Sequence, residues 1–107
     1  MPFTVTTRWD SLDDCVLSAN RYADNNHIAL SIFSISEGPV ASLTVNLPDT
    51  KKHPENYAFL DINNFPEAEE VVSRLGIGQD AGRFGFSGFC VYPLWVFDLD
   101  AIAALAE

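Results

Sequence analysis

Basic residues are scarce in this 107-residue chain. Six lysines and arginines face fifteen aspartates and glutamates, giving a net charge of −9. A surface so poor in cations lacks the footprint that a nucleic-acid backbone needs, so no direct nucleic-acid binding is expected. Long apolar runs are missing too. None reaches the roughly 18 residues that a membrane-spanning helix takes, so no membrane association is expected. The opening MPFTVTTRWD has no basic stretch followed by an apolar core, and no secretory signal is read there. Cysteine is rare. Cys15 and Cys90 stand alone, and with a cytoplasmic location expected, both are read as reduced rather than bridged.

Signature motifs are also missing. No Gly-Lys-Ser/Thr closes a phosphate loop. Gly76-Ile77-Gly78 is followed by three residues before Gly82, and it leaves a helix instead of entering one, the reverse of a dinucleotide fingerprint. Gly85-Phe86-Ser87-Gly88 puts its second glycine one place early for a nucleophile elbow. His27 and His53 have no cysteine or second histidine at ligand spacing, which argues against zinc. The acids Asp10, Asp13, Asp14 and Asp24 do not form the D-x-D-x-D-G of a calcium loop. Asp98-x-Asp100 is better explained by helix capping than by a cation. Nothing in the sequence brings Cys15 to either histidine as a nucleophile and base. No catalytic, metal or cofactor site is expected.

What is present is a chain 48 % apolar, long enough for one domain with its own core. Residues 3–9 alternate weakly, as an edge strand or extended arm. Residues 14–22 are open between strand and helix. Asp24-Asn25-Asn26-His27 marks a turn. Residues 28–36 alternate cleanly, with Ile28, Leu30, Ile32 and Ser34 on one face. Glu37-Gly38 reads as a hairpin turn, 40–47 as the returning strand, and 57–62 as a third. A helix over 66–75 follows, with Asn63 and Asn64 placed to cap it, Pro66 in its first turn, and Ala68, Val71, Val72 and Leu75 on its apolar face. Gly76 ends it. Residues 76–88 read as an irregular glycine-rich loop. Residues 89–97 read as a strand whose Pro93 calls for an edge or a bulge. Asp98 caps a last helix with Leu99, Ile102, Ala103 and Ala106 as its inner face. The expectation is an α+β fold: an antiparallel sheet of four to five strands with two short helices packed on one face.

The stretch GRFGFSGFCVYPLW, residues 82–95, is the least ordinary. Phe84, Phe86 and Phe89 either fill the margin of the core, the simpler reading, or form an exposed contact surface. Arg83 either pairs with an acid of its own chain or anchors a partner. Asp61 ends a strand near a helix start, where a turn or cap hydrogen bond is the simpler account of its carboxylate.

Several segments, in order, carry a resemblance: Leu43-Thr44-Val45-Asn46-Leu47-Pro48, Phe59-Leu60-Asp61-Ile62-Asn63-Asn64, Gly82-Arg83, Ser87-Gly88-Phe89 with Tyr92-Pro93-Leu94, and Phe97-Asp98-Leu99. Together they resemble domain of unknown function 4313 over about residues 28–100. The resemblance implies a setting on phages, plasmids and conjugative elements, hence a bacterial host cell, and supplies no catalytic residues. Small acidic proteins in that setting are often anti-defence factors. The leading expectation is therefore a non-enzymatic anti-CRISPR inhibitor. It would occupy the basic, DNA-binding surface of a defence complex through Asp10, Asp13, Asp14, Asp24, Glu67, Glu69 and Glu70, with Arg83, Phe84 and Phe86 as anchors. The alternatives are an interaction module acting through the aromatic glycine-rich segment, and an enzyme with a site around Asp61, Asn63 and Arg83. A monomer or a homodimer is expected.

Overall fold

The computed structural model describes residues 2–6, 11–22, 27–47 and 56–106. It holds two four-stranded antiparallel sheets and two helices, in place of the single sheet expected. The molecule is mostly β with few helices, an α+β arrangement in the coarse sense.

The first sheet runs β1 (Phe3–Thr6), β2 (Ser11–Arg21), β3 (Ile28–Ser34) and β4 (Gly38–Ser42), in sequence order. The segment left open between strand and helix is strand. Seven consecutive residues of β2 pair with β3, from Cys15 opposite Ser34 to Arg21 opposite Ile28. In β3 the expected alternation holds, with Ile28, Leu30, Ile32 and Ser34 all buried. Of the turn expected at Asp24-Asn25-Asn26-His27, the first three residues lie outside the described residues.

Residues 40–47 are not one strand. β4 ends at Ser42, and the chain resumes as β5 (Thr44–Val45) in the second sheet. Leu43 is the crossing point. Its amide donates to the carbonyl of Leu30 in β3 (2.9 Å), and its carbonyl accepts from the amide of Asp61 (3.0 Å). Leu43 and Thr44 are consecutive and both buried, yet Thr44 is polar, so hydropathy still alternates through the crossing. The periodicity therefore carries no mark of it.

The second sheet has the order β5, β6 (Tyr57–Leu60), β8 (Cys90–Phe97), β7 (Gly78–Ser87). β7 is a correction, because most of the expected glycine-rich loop is a ten-residue strand. Its glycines serve the pairing. A bulge between Asp80 and Arg83 puts Gly82 at φ 78°, which favours glycine, and the Asp80 carboxylate accepts from the Gly82 amide at 2.8 Å. A Cβ on Gly85 would lie 2.6 Å from a ring carbon of Phe59, so only glycine fits that approach. Gly88 and Phe89 make the two-residue turn into β8.

β8 has neighbours on both sides, so Pro93 is not in an edge strand. The pairing with β6 covers Leu94 to Val96, however, and does not include the proline. Pro93 thus falls at the end of the β6–β8 ladder, where its missing N–H removes one terminal hydrogen bond and interrupts no pair within it.

α1 (Ala68–Leu75) keeps the expected apolar face, burying Ala68, Val71 and Val72, and ends at Gly76. Its N-cap position is Glu67, with no side-chain cap. Asn64 is instead turned to the preceding Asp61. α2 (Leu99–Leu105) is capped as expected, the Asp98 carboxylate accepting from the amides of Asp100 and Ala101. Its inner face is Ile102 with Ala101 and Leu105, while Leu99 and Ala103 are exposed. α1 lies against β7 and α2 against β2, so the helices cover different sheets rather than one face.

The main core lies between the sheets. Val5, Cys15, Leu17, Leu30 and Ile32 from the first meet Leu60, Trp95 and Phe97 from the second, with Val71, Val72 and Ile102 from the helices. A smaller cluster of Leu47, Phe59, Tyr92 and Leu94 forms on the other face of the second sheet. The two cysteines are free.

Candidate functional site

Side chains alternate between the faces of a strand, and directly paired residues share a face. In β8, Trp95 and Phe97 face the main core, so Pro93 and Val91 lie on that face too. Phe84 pairs with Pro93 and Phe86 with Val91. The two phenylalanines therefore extend the core-facing side of the sheet beyond the core itself. Pro93 is covered, but Phe84 is 59 % exposed, Phe86 69 % and Val91 40 %. Phe89, at the turn, is fully exposed. The simpler reading of these aromatics, packing at the core margin, does not hold. They form an apolar stripe along the outer half of the β7–β8 hairpin, of a kind that soluble proteins seldom leave uncovered.

Arg83 does not belong to this stripe. It pairs with Leu94, whose side chain lies in the smaller cluster on the opposite face. Arg83 is exposed there. The two-residue period of a strand sets it on the face opposite to Phe84 and Phe86. Val91 was absent from the expected site residues. The signal that finds it is its pairing with Phe86 across the turn.

The carboxylates do not gather into one patch. Asp10 and Asp24 lie outside the described residues. Asp13 is exposed on β2 and accepts a long 3.4 Å bond from the Thr4 hydroxyl. Asp14 is tied into its own fold, accepting from the Ser34 hydroxyl (2.7 Å) and the Ser36 amide (2.8 Å). The Ser36 and Ser34 hydroxyls and the Ser36 amide hold its carboxyl down from 3.8 to about 2. Glu69 accepts from the indole N–H of Trp95 at 3.3 Å, which puts the first turn of α1 against the core-facing side of the sheet. Glu67 is half-buried and Glu70 exposed in the same turn. Asn63 donates to the carbonyl of Val91 at 3.2 Å, bringing the approach to α1 beside the stripe. Glu67, Glu69 and Glu70 are thus the acids whose element borders the aromatic surface. Asp13 and Asp14 belong to the other sheet.

Asp61 is buried. Its carboxylate accepts from the amide (3.3 Å) and side chain (3.0 Å) of Asn64, and its carbonyl from the Phe65 amide (2.8 Å). It organises the turn between β6 and α1, the simpler account given above. Asn63 bonds to Val91, and Arg83 is on β7, across β8 from β6. Among the described residues, no group of three or more His, Cys, Asp or Glu is placed to hold a metal ion, and no helix is long and apolar enough to cross a membrane.

A family model described as "Domain of unknown function (DUF4313)" matches residues 16–107. No curated protein and no solved structure matches the chain.

Proposed function

The chain belongs to the family of domain of unknown function 4313, and from that premise we propose a non-enzymatic protein-binding module that docks through the β7–β8 hairpin. The observation that carries the reading is the exposed stripe of Phe84, Phe86 and Val91 with Phe89 at its tip. Aromatic side chains offer large contact area for little lost conformational freedom and dominate the energetics of protein interfaces. Glu67, Glu69 and Glu70 flank the stripe and would steer the encounter toward a partner with a basic rim.

A second reading is favoured by the net charge of −9. In it the protein is an anti-defence factor of a bacterial mobile element. It inhibits a CRISPR effector or another nucleic-acid-binding complex by placing carboxylates in a basic groove. The two readings assign the binding energy differently. Exposed charges are screened beyond about 8 Å at physiological ionic strength, whereas apolar burial is not.

The test is capture of partners by tagged protein from a host carrying several CRISPR and restriction systems, at low and high salt. Under the hairpin reading a partner stays bound at high salt, and replacing both Phe84 and Phe86 with serine lowers its recovery at least about tenfold, a loss of 1.4 kcal/mol or more. Recovery of a defence complex at low salt only, unaffected by the serine changes and lost when Glu67, Glu69 and Glu70 become glutamine, would replace the hairpin reading with the mimic.

A further inference from the structure

We propose that two copies of this chain join edge to edge through the outer half of β7, making one continuous eight-stranded sheet. The inference starts from a count of open edges. The outermost strands of the two sheets are β1, β4, β5 and β7. Three of them are blunt: β1 has four residues, β5 two, and β4 five including Pro39. Short strands and proline are the ordinary means of protecting an edge from pairing. β7 has ten residues. Its inner half is interrupted by the Asp80–Arg83 bulge, but from Arg83 to Ser87 every residue is in regular register with β8.

The direction of the backbone groups in that half follows from two observations. Antiparallel pairs alternate between those that exchange both N–H···O bonds and those that exchange none. The Phe97 amide and carbonyl both bond Asn56 on the β6 side, so Pro93 and Val91, four and six residues back along β8, also point away from β7, and their pairs with Phe84 and Phe86 are of the second kind. The Val91 carbonyl agrees, since it accepts from Asn63 and so points away from β7. The N–H and C=O of Phe84 and Phe86 are therefore directed to the open edge, with no strand beyond them among the described residues.

This edge is complementary to itself. With a two-fold axis at Gly85, Phe84 stands opposite Phe86 of the second copy, and Phe86 opposite Phe84. Those are the residues whose backbone groups face outward, so each pair exchanges both hydrogen bonds. Each is also an aromatic cross-strand pair. Arg83 comes opposite Ser87 rather than its own copy. The arrangement is isologous and closes at two chains.

The self-complementary edge is what points to a second copy as occupant, and the charge along the strand permits it. Two bodies of net charge −9 repel, and their contact is least costly where carboxylates are absent. Residues 81–97 are the longest stretch of the chain without an aspartate or glutamate, and Arg83 is the one charge in it. The contact uses the edge of the strand and leaves the faces of the phenyl rings open. It sets two aromatic stripes side by side, enlarging the docking surface proposed above without depending on it.

Sedimentation equilibrium of the purified full chain tests this, from about 1 μM to about 1 mM, the range in which small interfaces associate. The expected mass rises from 11.8 kDa to twice that value and stops there. The amides of Phe84 and Phe86 should become more protected from hydrogen exchange as concentration rises. Phe84→Pro removes an outward N–H that the monomer leaves unpaired, so the variant should keep the wild-type circular dichroism and stay at monomer mass. Phe86→Lys, which leaves the backbone intact, should do the same. A wild-type mass that stays at one chain, growth beyond two, or dimerisation of both variants like wild type would each overturn the proposal. No partner protein is present, so its failure is distinct from failure of the capture experiment.

Discussion

Asp14 shows how a single acid of this chain can be structural although the composition groups it with the rest. Its carboxylate spans the end of β3 and the following turn, receiving the Ser34 hydroxyl and the Ser36 amide, while the Ser34 hydroxyl also accepts from the Glu37 amide. Bonds to the charged form lower its folded pKa to about 2, against 3.8 unfolded. A depressed carboxyl contributes stability that is fully present above the unfolded value and is lost as pH falls toward the folded one. Asp14→Asn should therefore melt below wild type at pH 7, and the gap should shrink between pH 4 and pH 2. Melting curves across that range check it, and a gap independent of pH would remove the assigned role. Composition offered Asp14 as a partner-binding acid, because a carboxylate in a loosely alternating strand looks the same whether it faces water or a turn. Phe84 and Phe86 show the converse, since an aromatic between glycines reads the same inside a core and outside one.

Elements differ in how far the sequence declares them. α1 was legible because its apolar residues recur at helical spacing and all pack the same way, and α2 because Asp98 opens it with a capping oxygen. β3 was legible because every second residue is buried. β7 was hidden. Strand propensity is low for glycine, and three glycines at three-residue spacing look like a loop when each is read alone. In the fold they answer separate demands: a bulge at Gly82, a close approach at Gly85 and a turn at Gly88. The demand at Gly85 is the most exacting. A methyl there would stand 2.6 Å from a ring carbon of Phe59 and 2.8 Å from a Leu47 methyl carbon. Gly85→Ala should cost about 1–3 kcal/mol, the usual range for overpacking, measured by urea denaturation. If the strand instead tolerated the methyl within about 0.5 kcal/mol, the range typical of unconstrained surface changes, the contact between β7 and the smaller core would have to be looser than described.

At the scale of the whole molecule, the two sheets share one core, and the hydrogen-bonded crossing between them is narrow. Leu43 links them through its backbone, and Thr44 through its side chain. The Thr44 hydroxyl receives the buried Leu30 amide of β3 at 3.0 Å and meets the Tyr22 hydroxyl at 2.9 Å, although Thr44 itself belongs to the second sheet. Thr44 is 3 % exposed, so water does not replace these bonds. Alternation across 40–47 gave one strand, and nothing in that pattern told that the chain changes sheets midway. Threonine at the crossing is the residue that carries the change, because its methyl fits a buried site while its oxygen serves the other sheet. Thr44→Val keeps the shape and deletes the oxygen, leaving the Leu30 N–H buried and unpaired. The expected cost is about 1–3 kcal/mol. The main core is shared by both sheets, so the loss should lower one cooperative transition without splitting it. In a Trp9→Phe background, tryptophan fluorescence reports the second sheet through Trp95, and far-ultraviolet circular dichroism reports both. Coincident, equally shifted curves are expected. Separate transitions in the variant would mean that the hydroxyl, rather than the shared core, holds the two sheets together.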